Sequence, residues 1–181
     1  MRSEASGALR GISIDMRGRG VSLRYKTVAT GGTFDHIHKG HIALLTKSFE
    51  VGETVVIGVT SDSFALKEGK NPDQSYDERL RFLKALIRKK FPGRKYIIAK
   101  LDDYFGPGIA SPDVQAIVVT RETAKRVPIA NTLRGAKGYP PLDVVLVDYV
   151  LADDSRLISS TRIRKGEIDT EGRLLRRSQK R

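Results

Sequence analysis

The sequence predicts an α/β fold: a Rossmann-like doubly wound parallel sheet of about five strands, in a single domain. Three observations carry that expectation. Short runs rich in Val and Ile, such as "ETVVIGVTS" (Glu53–Ser61) and "VQAIVVT" (Val114–Thr120), recur along the chain. They are near-continuous rather than strictly alternating, as strands buried on both faces require. Stretches of helical periodicity separate them, which calls for parallel pairing through crossover helices.

Each element follows in order. Residues 1–24 carry Gly7, Gly11, Gly18 and Gly20 without any period and read as a flexible, basic N-terminal extension. The domain is expected over 25–172, followed by a basic tail over 173–181. Lys26–Thr30 is the first strand, ending at Gly31-Gly32. His38–Glu50 has Ile42, Leu45 and Phe49 at helical spacing, with Gly52 as its stop. Glu53–Ser61 is the second strand. Ser75–Gly93 is a helix with Ser75 as cap and Glu78 three residues on. Its inward face is Leu80, Leu83 and Ile87, and Pro92-Gly93 ends it. Lys95–Leu101 and Val114–Thr120 are the next strands. Glu122–Gly135 is a helix broken or begun near Pro128. Leu142–Val150 is the last strand, and Ser159–Ile168 opens a short final helix. In such a sheet, ligands bind outside the carboxyl ends of the strands, near the topological switch point.

Composition narrows the function. The chain has 181 residues, 39% of them hydrophobic and 30% charged, as in an ordinary soluble domain. No apolar run approaches the roughly 20 residues of a membrane span, and the start has no apolar core of a secretory signal. The absence of cysteine excludes disulfides, thiolate metal sites and a cysteine nucleophile, and fits a reducing, cytoplasmic setting. The net charge of +12 suggests nucleic acid until it is divided. Residues 1–26 hold six basic side chains against two acidic ones, and 162–181 hold eight against three. The excess therefore sits mainly at the ends, where it reads as solvated tails. Without the aromatic signatures of RNA-binding modules, no specific nucleic-acid partner is expected.

All three histidines of the chain fall at 36, 38 and 41, inside "TGGTFDHIHKGH" (Thr30–His41). Gly31 and Gly32 let a backbone approach a phosphate closely. Thr33 offers a hydroxyl and an N–H to the same anion. Gly40 would let the start of the helix pass close to a ligand, and that helix end favours negative charge. His38 and His41 are three apart, so one turn sets both imidazoles on one side. A zinc site of three histidines is the less favoured alternative, because the loop lacks a fourth ligand. A second cluster, Ser159, Ser160 and Thr161, supplies N-cap residues at the start of the last helix. Arg162 and Arg164 beside them carry forked, permanently charged donors suited to phosphate.

"GGTFDHIHKGH" resembles the first signature of the HxGH nucleotidyltransferase superfamily, with His38-Lys39-Gly40-His41 as the signature itself. "ISSTRIR" (Ile158–Arg164) resembles the second. Within that superfamily, residues 26–172 are most similar to the archaeal and eukaryotic type of phosphopantetheine adenylyltransferase. "VIGVTSDSFALK", "YDERL" and "VVTRETAKRVPIANTLR" carry that narrower likeness. It implies transfer of the adenylyl group of ATP to 4′-phosphopantetheine, giving dephospho-coenzyme A and pyrophosphate. Mg²⁺ would be carried with ATP, no protein-held metal is implied, and a monomer is favoured.

The resemblance also implies roles. His41 meets the α-phosphate, His38 the β- and γ-phosphates, and Thr33 bridges nucleotide and acceptor. Lys67, expected on a loop after the second strand, meets the reacting phosphate. Gly31, Gly32, Phe34, Gly40, Ser159, Ser160, Thr161 and Arg164 complete the nucleotide site. Arg121 is included too, although "TRET" departs from the family's usual serine and glutamate there and leaves its part open. His36 is expected to be structural, and Asp35 to hydrogen-bond the loop. Two other readings stand beside this one: a superfamily enzyme with nicotinamide mononucleotide, FMN or glycerol phosphate as acceptor, and a basic nucleic-acid-binding module that keeps the fold without the chemistry.

Overall fold

The computed structural model describes residues 23–106 and 110–175. The expectation of a flexible N-terminal extension therefore falls almost wholly outside the described residues, as does most of the basic tail.

Five strands form one parallel sheet: β1 (Tyr25–Gly32), β2 (Gly52–Thr60), β3 (Lys95–Leu101), β4 (Ala116–Thr120) and β5 (Asp143–Val147). Their spatial order is β3-β2-β1-β4-β5. The winding reverses between β1 and β4, so the crevice at the carboxyl ends of those two strands is the switch point. One face of the sheet presents Val28, Val55, Ile57, Val59, Val118 and Val145, which pack against helices α1 (Lys39–Val51) and α3 (Tyr76–Lys90). Leu44, Leu45 and Phe49 of α1 and Leu83 and Ile87 of α3 supply the matching apolar stripes.

The opposite face is buried at its centre, by Ala29, Val56, Val114 and Leu142. Burial on both faces does not extend to the edge strands. Ile97 pairs with Val56 and Val144 with Ile117, yet Ile97 is 56% exposed, Val144 45% and Leu146 49%.

Local chemistry sets the element ends. Ser75 and Glu78 exchange hydrogen bonds in a capping box at the start of α3. Gly52 caps α1 and opens β2 without an intervening loop. A Cβ there would lie 2.6 Å from Val28 Cγ2, so only glycine permits the turn. A short helix, α2 (Asp62–Lys67), was not anticipated; Ser61 caps it by accepting from the Phe64 N–H at 3.2 Å. The helix expected over 122–135 is two: α4 (Arg121–Ala124) and α5 (Val127–Ala136), the second with Pro128 in its first turn. Strand β5 stops at Val147, short of Val150, because the chain turns back and bridges Leu151 to Leu157. Helix α6 (Ser160–Arg164) follows. Ile168, Ala152 and Ile158 then form a small core beneath it, and backbone bonds continue to Leu175, whose N–H meets the Glu167 carbonyl.

Candidate active site

A cavity of about 340 Å³ lies at the carboxyl ends of β1, β4 and β5. Its walls come from Gly31–Thr33, the His38–His41 turn, Lys70 and Pro72, the start of α4, Val147–Val150, Leu157–Thr161 and Arg164. A larger groove of about 760 Å³ lies at the opposite end of the sheet, lined by Arg24–Thr27, Pro112–Gln115, Pro140, Pro141 and Asp143. It sits at the amino ends of the strands and contains neither motif, so the smaller cavity is the candidate.

The start of α1 is built from its own histidines. His38 is the extended N-cap residue, and its Nδ1 accepts from the Gly40 N–H at 3.1 Å. His41 Nδ1 in turn accepts from the His38 N–H at 3.4 Å. A neutral imidazole that accepts at Nδ1 carries its proton on Nε2, so each ring keeps one N–H donor for a ligand. The rings lie 4.0 Å apart. Burial holds the His38 imidazole down to about 4. His41 is also pushed well below the ordinary imidazole range, first by burial and then by the charges of His38 and Lys70. Gly40 makes the arrangement possible: a Cβ there would stand 2.9 Å from His38 Cε1. It also lines the cavity, where close passage to a ligand was expected.

Between β1 and α1, Phe34 and His36 adopt left-handed backbone angles, φ 56° and 43°, unusual for residues with side chains. Phe34 is buried beneath the loop, with its ring 5.1 Å from that of His41. Asp35 is 1% exposed and joins the two motifs. Its Oδ2 accepts from Arg164 Nη1 at 2.6 Å, and its backbone carbonyl accepts from the Ser160 hydroxyl at 2.5 Å. Its Oδ1 also accepts from the Gln74 N–H. His36 meets Asp73 at 3.0 Å, so both residues tie the loop to the segment that carries Lys70. Lys70 Nζ donates to Thr33 Oγ1 at 3.4 Å. Arg164 Nη2 donates to Thr161 Oγ1, which fixes the guanidinium at both ends.

The cavity gathers hydroxyls, two imidazoles, Lys70 and Arg164 alongside the carboxylates of Asp35, Glu122 and Asp148; with Asp35 taken up by Arg164, the donors around Thr33 suit an anionic ligand. It has no cysteine. Among the described residues, no group of three or more His, Cys, Asp or Glu is placed to hold a metal ion.

The comparisons with known proteins agree with that chemistry. The Cytidylyltransferase-like family model matches residues 29–166. The chain is 44% identical over 154 residues to the phosphopantetheine adenylyltransferase of Methanothermobacter thermautotrophicus, a match covering 85% of this chain and 92% of that one. The chain belongs to the phosphopantetheine adenylyltransferase family. A second relative of that name, from Methanopyrus kandleri, is 41% identical over 146 residues, 81% of this chain and 92% of the relative. Among solved structures, an Archaeoglobus fulgidus protein described as of unknown function superposes with a TM-score of 0.61 at 26% identity, covering 74% of this chain and 99% of its own.

Of the residues expected in the site of this family member, Gly31, Gly32, Thr33, His38, Gly40, His41, Ser159, Ser160, Thr161 and Arg164 all line the one cavity. Three others do not. Phe34 packs underneath. Arg121 is exposed at the first position of α4, where Thr120, Glu122 and Thr123 line the wall in its stead. Lys67 is the last residue of α2, not a loop residue, and it points into solvent; Lys70, three residues on, faces the cavity. Arg162 is also turned away. It is held by Asp154 at 2.6 Å and Glu167 at 3.0 Å, two residues from Arg164 and so on the other side of a short helix. Tyr149 and Leu157 line the cavity too, and no motif spacing marked them.

Proposed function

We propose that this chain transfers the adenylyl group of ATP to 4′-phosphopantetheine, forming dephospho-coenzyme A and pyrophosphate. The observation that carries the reading is the meeting of both signatures on one anion-binding cavity, in a chain of this family. An oxygen of the acceptor phosphate attacks the α-phosphorus. The bond from that phosphorus to the bridging oxygen breaks, and pyrophosphate leaves with the electron pair. The acceptor phosphate is already ionised near neutral pH, so no general base is demanded. Alignment and charge stabilisation do the catalysis.

His41 Nε2–H donates to the α-phosphate and His38 Nε2–H to the phosphates beyond it. Thr33 and Lys70 hold the acceptor phosphate, with Lys70 in the part first expected of Lys67. Ser159, Ser160, Thr161 and Arg164 hold the nucleotide on the β4–β5 side, and the apolar wall of Val147, Val150 and Leu157 suits the adenine ring. Mg²⁺ carried with ATP would offset phosphate charge, while Lys70, Arg164 and the imidazole N–H groups supply the protein's donors to the phosphates. One copy of the chain supplies every side chain this scheme uses, which supports a working monomer. No described helix is long and apolar enough to cross a membrane, and a cytoplasmic setting completes the reading.

The test is pyrophosphate release from ATP and Mg²⁺ with each of four acceptors: 4′-phosphopantetheine, nicotinamide mononucleotide, FMN and glycerol phosphate. Turnover with phosphopantetheine is expected. Robust turnover with one of the others, and none with phosphopantetheine, would sink the proposal.

A further inference from the structure

We infer that Arg79 is a positioning residue for adenylyl transfer: its buried guanidinium holds the Thr33 loop and the Lys70 loop in fixed relation. The inference rests on the adenylyl-transfer reading above. Arg79 lies on α3, outside both signatures, and its side chain is fully buried. A buried guanidinium is expensive unless nearly every N–H finds an acceptor. Here the acceptors come from three stretches of chain, at Thr33, Thr60–Asp62 and Gln74. Nη1 donates to the Thr33 carbonyl at 2.5 Å and Nε to the Gln74 carbonyl at 3.1 Å. Nη2 donates to the Thr60 carbonyl at 2.9 Å and to Asp62 Oδ1 at 2.7 Å.

Those acceptors mark the ends of β1 and β2, the start of α2, and the end of the segment that carries Lys70. A solvated or purely packing arginine would not need carbonyls from so many elements. The fork instead fixes where the Thr33 hydroxyl stands relative to Lys70, the two groups assigned to the acceptor phosphate. None of its contacts reaches the β4–β5 wall that holds the nucleotide. Loosening Arg79 should therefore slow transfer and spare ground-state ATP binding.

Arg79→Lys keeps the charge but cannot span the same carbonyls, because an ammonium lacks the planar fork. In the full chain it should lower kcat about 10- to 10²-fold, the penalty expected of a small misalignment. The Kd for ATP should stay within about twofold, a split that a general loss of structure would not produce. Should Arg79→Lys fail to fold, Asp62→Asn decides, since it weakens the same clamp from its half-exposed end. It should reduce kcat several-fold with ATP affinity unchanged, while Lys89→Ala, exposed on the same helix, should match the wild type. Normal kcat in the folded variants overturns the inference, and so does a parallel loss of kcat and ATP affinity. Absence of turnover in the wild type overturns the functional reading itself, and the inference with it.

Discussion

The two imidazoles that line the cavity offer N–H donors because their other nitrogens are occupied by the backbone of α1. His41 illustrates the consequence. Its Nδ1 accepts from the His38 N–H, so Nε2 carries the proton, and on the proposed reading that N–H meets the α-phosphate. Removing such a donor typically costs about 10²–10³ in rate, or roughly 2.7–4 kcal/mol. We expect His41→Ala to lose that much kcat while ATP affinity changes little. His41→Gln, whose amide reaches the Nε2 position, should retain more activity than His41→Asn; the reverse order would mean that the ring works through Nδ1. His38 supplies a pH signature. Its folded value of about 4 lies below the ordinary 6.5, so on acidification the unfolded chain takes up the proton first. Stability from this group is full above about 6.5 and is lost as the pH falls toward about 4. Melting temperatures across that window should fall more steeply for the wild type than for His38→Gln; parallel curves would refute the assignment. The sequence marked all three histidines as one cluster, and the resemblance gave His36 a structural part apart from the other two, but which residue it would hold was not legible. His36 turned out to hold Asp73, and Lys70 rather than Lys67 faces Thr33. A short helix rotates each side chain by about 100° from the last, and an unforeseen helix displaces every side-chain direction read from a presumed loop.

At the scale of elements, α1 begins in a way that couples stability to function. Gly40 sits in the first turn, where alanine would ordinarily favour the helix by roughly 0.5–1 kcal/mol. The His38 ring occupies the space its Cβ would need, at 2.9 Å. We therefore expect Gly40→Ala to fold with a melting temperature close to the wild type, yet to lose most of its turnover, because the ring must leave its capping position. Full activity in Gly40→Ala would show that the cap does not orient His38. Capping was legible beforehand where side chains followed known patterns, as at Ser75 and Glu78. Helix α2 was missed although Ser61 precedes it, since six residues are too few to show a period. The two arginines of the second motif looked equivalent in sequence. Helical geometry sends Arg164 to Asp35 and Arg162 to Asp154 and Glu167, so one serves the cavity and the other anchors α6.

For the whole molecule, the reversal of winding between β1 and β4 explains why motifs near opposite ends of the domain meet. Each follows a strand of the same parallel sheet, so both emerge at the same end. The described fold closes with the Leu175 N–H on Glu167. Deletion of residues 1–22 and 176–181 together should thus leave adenylyl transfer intact while lowering any salt-sensitive affinity for nucleic acid. Loss of turnover in a well-folded truncated chain would assign the ends a part in catalysis. The number of strands and their parallel pairing were determined by sequence alone, because hydrophobic period and capping chemistry act over a few neighbouring positions, and ten of the cavity-lining residues were marked by the two motifs and the resemblance they carry. Which lysine faces Thr33, which arginine meets Asp35, and that Arg79 binds three stretches of chain at once were decided only by tertiary structure. Apart from the Arg79–Gln74 bond, those contacts join residues 17 to 129 positions apart, and their geometry exists only once the sheet has brought its strand ends together.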